Sequence, residues 1–398
     1  MAIVWGGVAC CSGGPGSLRW LPCCAPWPLP LAGSLPLAAG AACMLVLSLA
    51  MAGELVPPAR RGWSMGLLGT LSACGTALGP SFGGLLIGGF GWQAPFLLLL
   101  PLALLALGCA WRDLPRDEAG SAEGGLPLTS LLLLVTALLC YGLALTRGSP
   151  LGAWPGIGAL VAMALFVRAD SGARRPLLPL ALLGAPRQRG GIIASALVAS
   201  VMVATLLIGP FYLHGAFALD MGTVGLMISM GPLLAALSGM PAGWLVDRVG
   251  ATPVVRLGLG LMVVAAVLLA LLDRTLGPLG YLLPILLLTA GYALFQTANN
   301  SAVVGEAEGA SRGAVAGLLT LSRNLGQLTG AAGLGGLFAA LAGRPDLALA
   351  TADELAFATR VTFALTALLL MSALWLAGRE ERAVQGDVAR DGCESGER

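Results

Sequence analysis

Eleven stretches of this 398-residue chain are apolar over roughly the length a helix needs to cross a bilayer, and no other feature limits its possible folds so severely. A hydrocarbon layer of ~30 Å and a rise of 1.5 Å per residue ask for about 20 residues per crossing. The candidate spans are 35–53, 66–88, 94–111, 128–146, 152–168, 191–212, 223–246, 253–272, 279–303, 313–341 and 357–377. The sequence therefore predicts an all-α, polytopic membrane protein of about eleven transmembrane helices. A composition of 57% hydrophobic and 11% charged residues, with a mean hydropathy of +0.87, agrees: the usual solvent of such a chain is lipid.

Composition also removes whole classes of function. The net charge of +2 leaves no global basic field, so nucleic acid is not an expected partner. With one histidine, no H-E-x-x-H and no strand-to-helix context for a G-x-S-x-G, the chain lacks the constellation of a membrane-embedded enzyme. A G-x-x-x-x-G-K-[ST] phosphate loop is absent as well, which excludes an ATP-driven pump within this chain. Cys10, Cys11, Cys23 and Cys24 form two adjacent pairs without metal-ligand spacing, so no metal is expected. Cys43, Cys74, Cys109 and Cys140 lie in apolar runs, where cysteine is an ordinary small packing residue.

Every basic residue is an arginine, and the arginines alternate between the two sides of the expected bundle. One side carries Arg60 and Arg61, Arg112 and Arg116, Arg168 to Arg189, Arg248 and Arg256, Arg312, and the tail from Arg379. The other side has short connections with Arg147, Arg274, Arg344 and, at a helix end, Arg360. The positive-inside rule makes the arginine-rich side cytoplasmic, C-terminus included. It also puts the start of the first span outside.

Within the second span, glycines interrupt the apolar run at helical spacings. Gly75, Gly79 and Gly83 fall four apart and share a face, which lets a second helix approach bare backbone, while Pro80 removes a backbone donor and bends the helix. The wider pattern of Gly66, Gly75, Gly79-Pro80 and Gly83-Gly84 resembles the antiporter motif in the fifth helix of the drug:proton antiporters of the major facilitator superfamily. Further on, Gly243-Trp-Leu-Val-Asp247-Arg248-Val-Gly250 resembles that superfamily's cytoplasmic loop motif, G-x-L-x-D-R-x-G-R-R, with Ala251 and Thr252 in place of the usual basic pair and Arg256 as a possible substitute. Its acid and arginine sit where they could latch neighbouring helix termini, with the glycines making the turn.

The resemblance implies the fourteen-helix branch. In that branch the glycine motif lies on helix five, here it lies on the second span, and eleven spans plus three make fourteen. The expected organisation is an atypical, misread or disordered segment at 1–33, the remainder of an N-terminal helical half at 34–112, a cytoplasmic loop at 113–127, two extra central helices at 128–168, a cytoplasmic connector at 169–190, a C-terminal six-helix half at 191–378 and a cytoplasmic tail at 379–398. A signal peptide does not describe the first segment, because it has no early positive charge and its apolar run breaks at Ser12 to Gly16. On this reading the chain beginning at Met1 transports nothing until three helices are restored. The implied activity is proton-coupled export of hydrophobic or amphipathic small molecules across a bacterial inner membrane. The proton gradient drives it and no cofactor takes part. A non-transporting membrane protein, or a carrier of one metabolite, is the alternative.

Polar residues within lipid-length helices are the remaining site candidates, since a charge at a helix centre costs ~2.5–3.5 kcal/mol on insertion scales and must face protein or water. Arg323 lies ten residues past Gly313, about 15 Å along the helix, with Asn324 and Gln327 beside it. The preceding span offers Gln296, Asn299 and Asn300 near Tyr292 and Phe295. This cluster either binds an amphipathic solute or joins helices. His214 and Asp220 near the outer mouth, and Glu306 and Glu308 at a cytoplasmic helix start, read as exposed charge.

Overall fold

Glycine, proline and charge mark most of the helix boundaries. The computed structural model describes residues 44–54, 56–90, 127–146, 153–172, 186–272, 274–305, 311–343 and 350–396, with a few isolated positions between them. The described helices are α1 (Met44–Glu54), α2 (Arg61–Phe90), α3 (Leu128–Thr146), α4 (Ala153–Ser171), α5 (Pro186–Phe217), α6 (Met221–Val249), α7 (Ala251–Ala270), α8 (Gly277–Gly305), α9 (Ser311–Leu341) and α10 (Ala352–Gly396). No strand occurs among the described residues, as the apolar pattern requires. The segment 1–33, residues 35–43 of the first expected span, most of the expected span 94–111, the loop 113–126 and the connector 173–185 lie outside the described residues.

Local chemistry explains the ends. Asp220 is extended and accepts the Thr223 N–H, starting α6. Gly250, at φ +94°, ends α6 and opens α7 in a single residue, a conformation that side chains with a Cβ rarely adopt. Thr351 and Glu354 exchange side-chain and backbone bonds in a capping box at the start of α10.

Among the described residues, six helices are long and apolar enough to cross a membrane: Leu128–Leu145, Gln188–Phe217, Gly222–Val249, Ala251–Ala270, Gly277–Gly305 and Ala352–Arg379. The 31-residue α9 has the length too, but carries Arg312, Arg323, Asn324 and Gln327. The chain divides into two compact units, residues 1–44 with 72–126, and residues 45–71 with 127–398. In the first, the described structure is chiefly the later part of α2. The second holds α1, the first turns of α2, and α3 to α10. Residues 45–71, expected with the N-terminal half, thus pack with the later helices.

In the second unit α5 is central, with 67% of its apolar 18-residue window buried, whereas that of α3 has 11% and presents most of its surface outward. α3 pairs with α4, and Tyr141 on α3 shares a 2.5 Å hydroxyl bond with Thr329 on α9. In lipid, apolar burial gives helices little reason to associate, so close backbone approach and interhelical hydrogen bonds carry the packing. Both are present. On α9, Gly326 and Gly330 lie against the backbone of Ala196 and Ser200 on α5, and on α7 Gly258 meets Gly291 of α8. Ser200 Oγ donates to the Gly326 carbonyl at 2.7 Å and Ser322 Oγ to that of Ile192 at 2.6 Å.

Candidate functional site

Two constellations stand out in the second unit: a junction of helix ends around Asp247, and a polar cluster midway along α8 and α9.

At the junction, the first turn of α2 is gripped by the ends of α6 and α8. Asp247 Oδ1 accepts the Gly62 N–H at 2.7 Å and Oδ2 accepts that of Trp63 at 2.8 Å. A helix start leaves its first N–H groups without partners and carries a partial positive charge, so a carboxylate placed across two of them is doubly favourable. On the other side, Arg61 Nη1 donates to the Gly305 carbonyl at 3.2 Å, filling one of the orphan acceptors at the end of α8. The approach is close because both backbones are bare. A Cβ on Gly66 would strike the Gly239 carbonyl and lie 3.1 Å from the Gly243 Cα, and one on Gly243 would strike the Gly62 carbonyl and lie 2.9 Å from the Trp63 Cα. Beneath this contact Met65 is fully buried against Val303, Val304 and Leu319.

The loop-motif residues thus take separate tasks. Gly243 permits the approach, Asp247 bonds across to α2, and Gly250 makes the turn. Arg248 stays on its own helix, exposed, with its guanidinium 4.0 Å over the Trp244 ring. Arg379 repeats this over Trp375 at the apolar end of α10, at 4.1 Å. Aromatic rings beside arginines are typical of a membrane–water boundary.

Among the described residues, the glycine pattern on α2 is brought into contact at Gly66. Gly66 is in the junction, but a Cβ on Gly75 would meet nothing within 4 Å among the described residues. Gly79, Pro80, Gly83 and Gly84 continue α2, and their surroundings lie outside the described residues. Sequence reasoning missed Arg61, Gly62 and Gly239. The signal was there: Gly62 and Gly66, and Gly239 and Gly243, are two four-residue glycine pairs that face each other.

Midway along the helices, Arg323 Nη2 donates to Asn300 Oδ1 at 3.2 Å. Asn300 and Asn299 are both buried, yet Asn299 Nδ2 turns the other way, to the Gly191 carbonyl at 3.0 Å, and ties α8 to α5. Gln296 is half-buried one turn before Asn300, and Asn324 is exposed. Gln327, one turn after Arg323, buries its Oε1 with no hydrogen-bond partner. Elsewhere, His214 Nδ1 is 2.8 Å from the Leu219 carbonyl and Asp220 caps α6, whose bonds from Thr223 hold its carboxyl below the usual carboxylate range. Glu306 and Glu308 lie outside the described residues.

A family model described as Major Facilitator Superfamily matches residues 1–331, and the chain belongs to that superfamily. The match includes 1–33. Similar proteins include the uncharacterized transporter YebQ of Escherichia coli (strain K12), 29% identical over 74% of this chain and 65% of that protein. The riboflavin transporter RibZ of Clostridioides difficile (strain 630) is 26% identical over 76% of this chain and 66% of its own. The tetracenomycin C resistance and export protein of Streptomyces glaucescens is 27% identical over 72% and 54%. The chain spans less than two thirds of the length of these curated relatives. Among solved structures, the human organic anion transporter MFSD10 (TETRAN) has the same fold, with a TM-score of 0.57 at 21% identity, over 84% of this chain and 67% of that one. Family and apolar helices together make this a multi-pass integral membrane protein.

Proposed function

We propose that this superfamily member is a secondary active transporter that exports hydrophobic or amphipathic small molecules in exchange for protons, by alternating access. Its arginine-rich helix ends and C-terminus face the cytoplasm of a bacterial inner membrane. The observation that carries the reading is the Asp247 carboxylate across the first N–H groups of α2. Glycine-bare backbones let the two helices close tightly, while the bonds that hold them lie at a half-exposed helix end where water can replace each one. Such a joint closes firmly and opens at modest cost, which is what a cytoplasmic gate requires.

Resemblance to the drug:proton antiporters supports export, as does the name of the tetracenomycin C relative. Similarity to a riboflavin transporter favours a second reading, a carrier for one metabolite. Energised inverted membrane vesicles separate the two. Offered ethidium, Nile red, a dansylated fatty acid and riboflavin, an exporter accumulates one or more of the three amphipathic probes, and an uncoupler abolishes the accumulation. Accumulation of riboflavin alone, or probe uptake indifferent to the uncoupler, overturns proton-driven export of amphipathic compounds.

A further inference from the structure

Arg323 is a fixed positive charge in the middle of a helix, and the described structure gives it no fixed negative partner. It is the thirteenth residue of the 31-residue α9, about 18 Å from its start. The described acids of α1 to α9 all stand at helix ends: Glu54 closes α1, Asp170 closes α4, Asp220 caps α6 and Asp247 lies two residues before its end. None of them forms an ion pair with Arg323, whose one described hydrogen bond, to the neutral Asn300, satisfies a single one of its five N–H donors.

Beside those donors the described helices offer carboxamides and no balancing charge: Asn300 through its bond to Arg323, and Gln327 through its place one helical turn along α9. Asn300 orients the guanidinium through its carbonyl oxygen, which leaves its own NH2 for something else. Half-buried Gln327, one turn along α9, buries its Oε1 without a hydrogen-bond partner, and exchanging the amide's oxygen and nitrogen by half a turn puts its NH2 in that place. Tyr292 on α8 lies within Coulombic range of Arg323. A planar guanidinium flanked by carboxamide donors from two helices, at lipid depth, matches a carboxylate or sulfonate: bidentate toward the fork and short of a negative charge that the described helices do not provide. The apolar length of both helices around it suits an apolar body attached to that head.

We infer that α8 and α9 bind the anionic head of an amphipathic organic acid, with Arg323 as the direct contact, Asn300 as its positioning residue and Gln327 completing the donor set. The inference rests on the exporter reading and narrows its substrate class.

The test uses the full chain in lipid nanodiscs and two fluorescent probes that differ by one charge, dansylated undecanoic acid and its methyl ester. The acid is expected to bind about 10–100-fold more tightly than the ester, the worth of a charge-assisted hydrogen bond. Arg323→Gln should bring the acid down to the ester's affinity without moving the ester. Arg323→Lys, which keeps the charge and loses the fork, should fall between, and Asn300→Ala should weaken the acid by a smaller factor. Equal binding of acid and ester by the unmodified protein overturns the inference, and so does an Arg323→Gln variant that loses both probes together with its thermal stability, which would make Arg323 a helix tie. If the acid fails to bind while vesicles still export ethidium, the anion site falls and the exporter stands. If no probe binds and none is moved, both fall.

Discussion

Two aspartates bracket α6, and they behave differently. Asp220 caps its own helix: Oδ2 accepts the Thr223 N–H at 3.0 Å and Oδ1 accepts the Thr223 hydroxyl at 2.6 Å. Asp247 sits near the carbonyl end of that helix, where the macrodipole opposes a negative charge, and bonds instead to the first turn of α2. An acid that suits its own helix does local work and says little about function. One that is badly placed for its own helix points to the element that needs it, and here that element starts at the junction read as the gate.

The largest blow to this contrast comes from glycine. Gly243→Leu puts a side chain where even a Cβ would lie within contact distance of the Gly62 and Trp63 backbone, so α2 must shift. We expect a loss of about 3 kcal/mol, at the upper end of ordinary overpacking, and export reduced more than about tenfold, with insertion intact because leucine favours lipid. Gly225→Leu, near the Asp220 end of the same helix, meets nothing within 4 Å among the described residues and should change thermal stability by under about 0.5 kcal/mol. Equal melting-temperature losses for the two variants in detergent would deny the junction its special status.

Next comes the carboxylate itself. Asp247→Ala leaves two helix-start N–H groups without their cap, worth about 1–2 kcal/mol, or roughly a tenfold shift toward the open junction. A cysteine at position 63 in an otherwise cysteine-free protein should then react about tenfold faster with an impermeant maleimide. Arg248→Ala, which loses only a contact with Trp244, should leave that rate within about twofold. If the two rates rise together, the motif works through the pair and not through its acid. Arg61→Gln, which removes the donor to the Gly305 carbonyl, should cost about 1 kcal/mol in the same assay.

How much of this was legible in the sequence varies with distance along the chain. The span expected at 128–146 is the helix Leu128–Thr146, and that expected at 313–341 is Ser311–Leu341, because an apolar run bounded by glycine, proline or charge determines its own ends. The turn at Gly250 was readable for the same local reason. The partner of Asp247 was not, since Gly62 lies 185 residues away and nothing near either residue names the other. Nor could spacing alone choose the docking face of α2: with 58 glycines in the chain, four-residue pairs recur, and only the fold decides that Gly62 and Gly66 meet a second backbone while Gly75 meets nothing described. Arg323 announced itself as a charge in an apolar helix, but the separate bonding of the adjacent Asn299 and Asn300, one to α5 and one to Arg323, depends on the helix's rotation within the bundle.

The smallest effect belongs to Asp220, and its pH dependence distinguishes a local cap from a gate. Hydrogen bonds from the Thr223 hydroxyl and N–H hold this carboxyl below its ordinary value of 3.8. A folded-state pKa below the unfolded one means that the charged cap stabilises the fold fully above about pH 4, and that this stabilisation declines below that value and vanishes once the folded carboxyl itself takes up a proton. Asp220→Ala should therefore melt slightly below the unmodified protein at pH 7 and by the same margin at pH 5, with the gap closing only in stronger acid. Asp220→Asn, which keeps an acceptor for the Thr223 N–H, should recover most of the margin, and neither variant should change the labelling of a cysteine at position 63. A gap that closes between pH 7 and pH 5, or a labelling rate that rises as it does in Asp247→Ala, would mean that Asp220 titrates with the transport cycle and that both ends of α6 take part in gating.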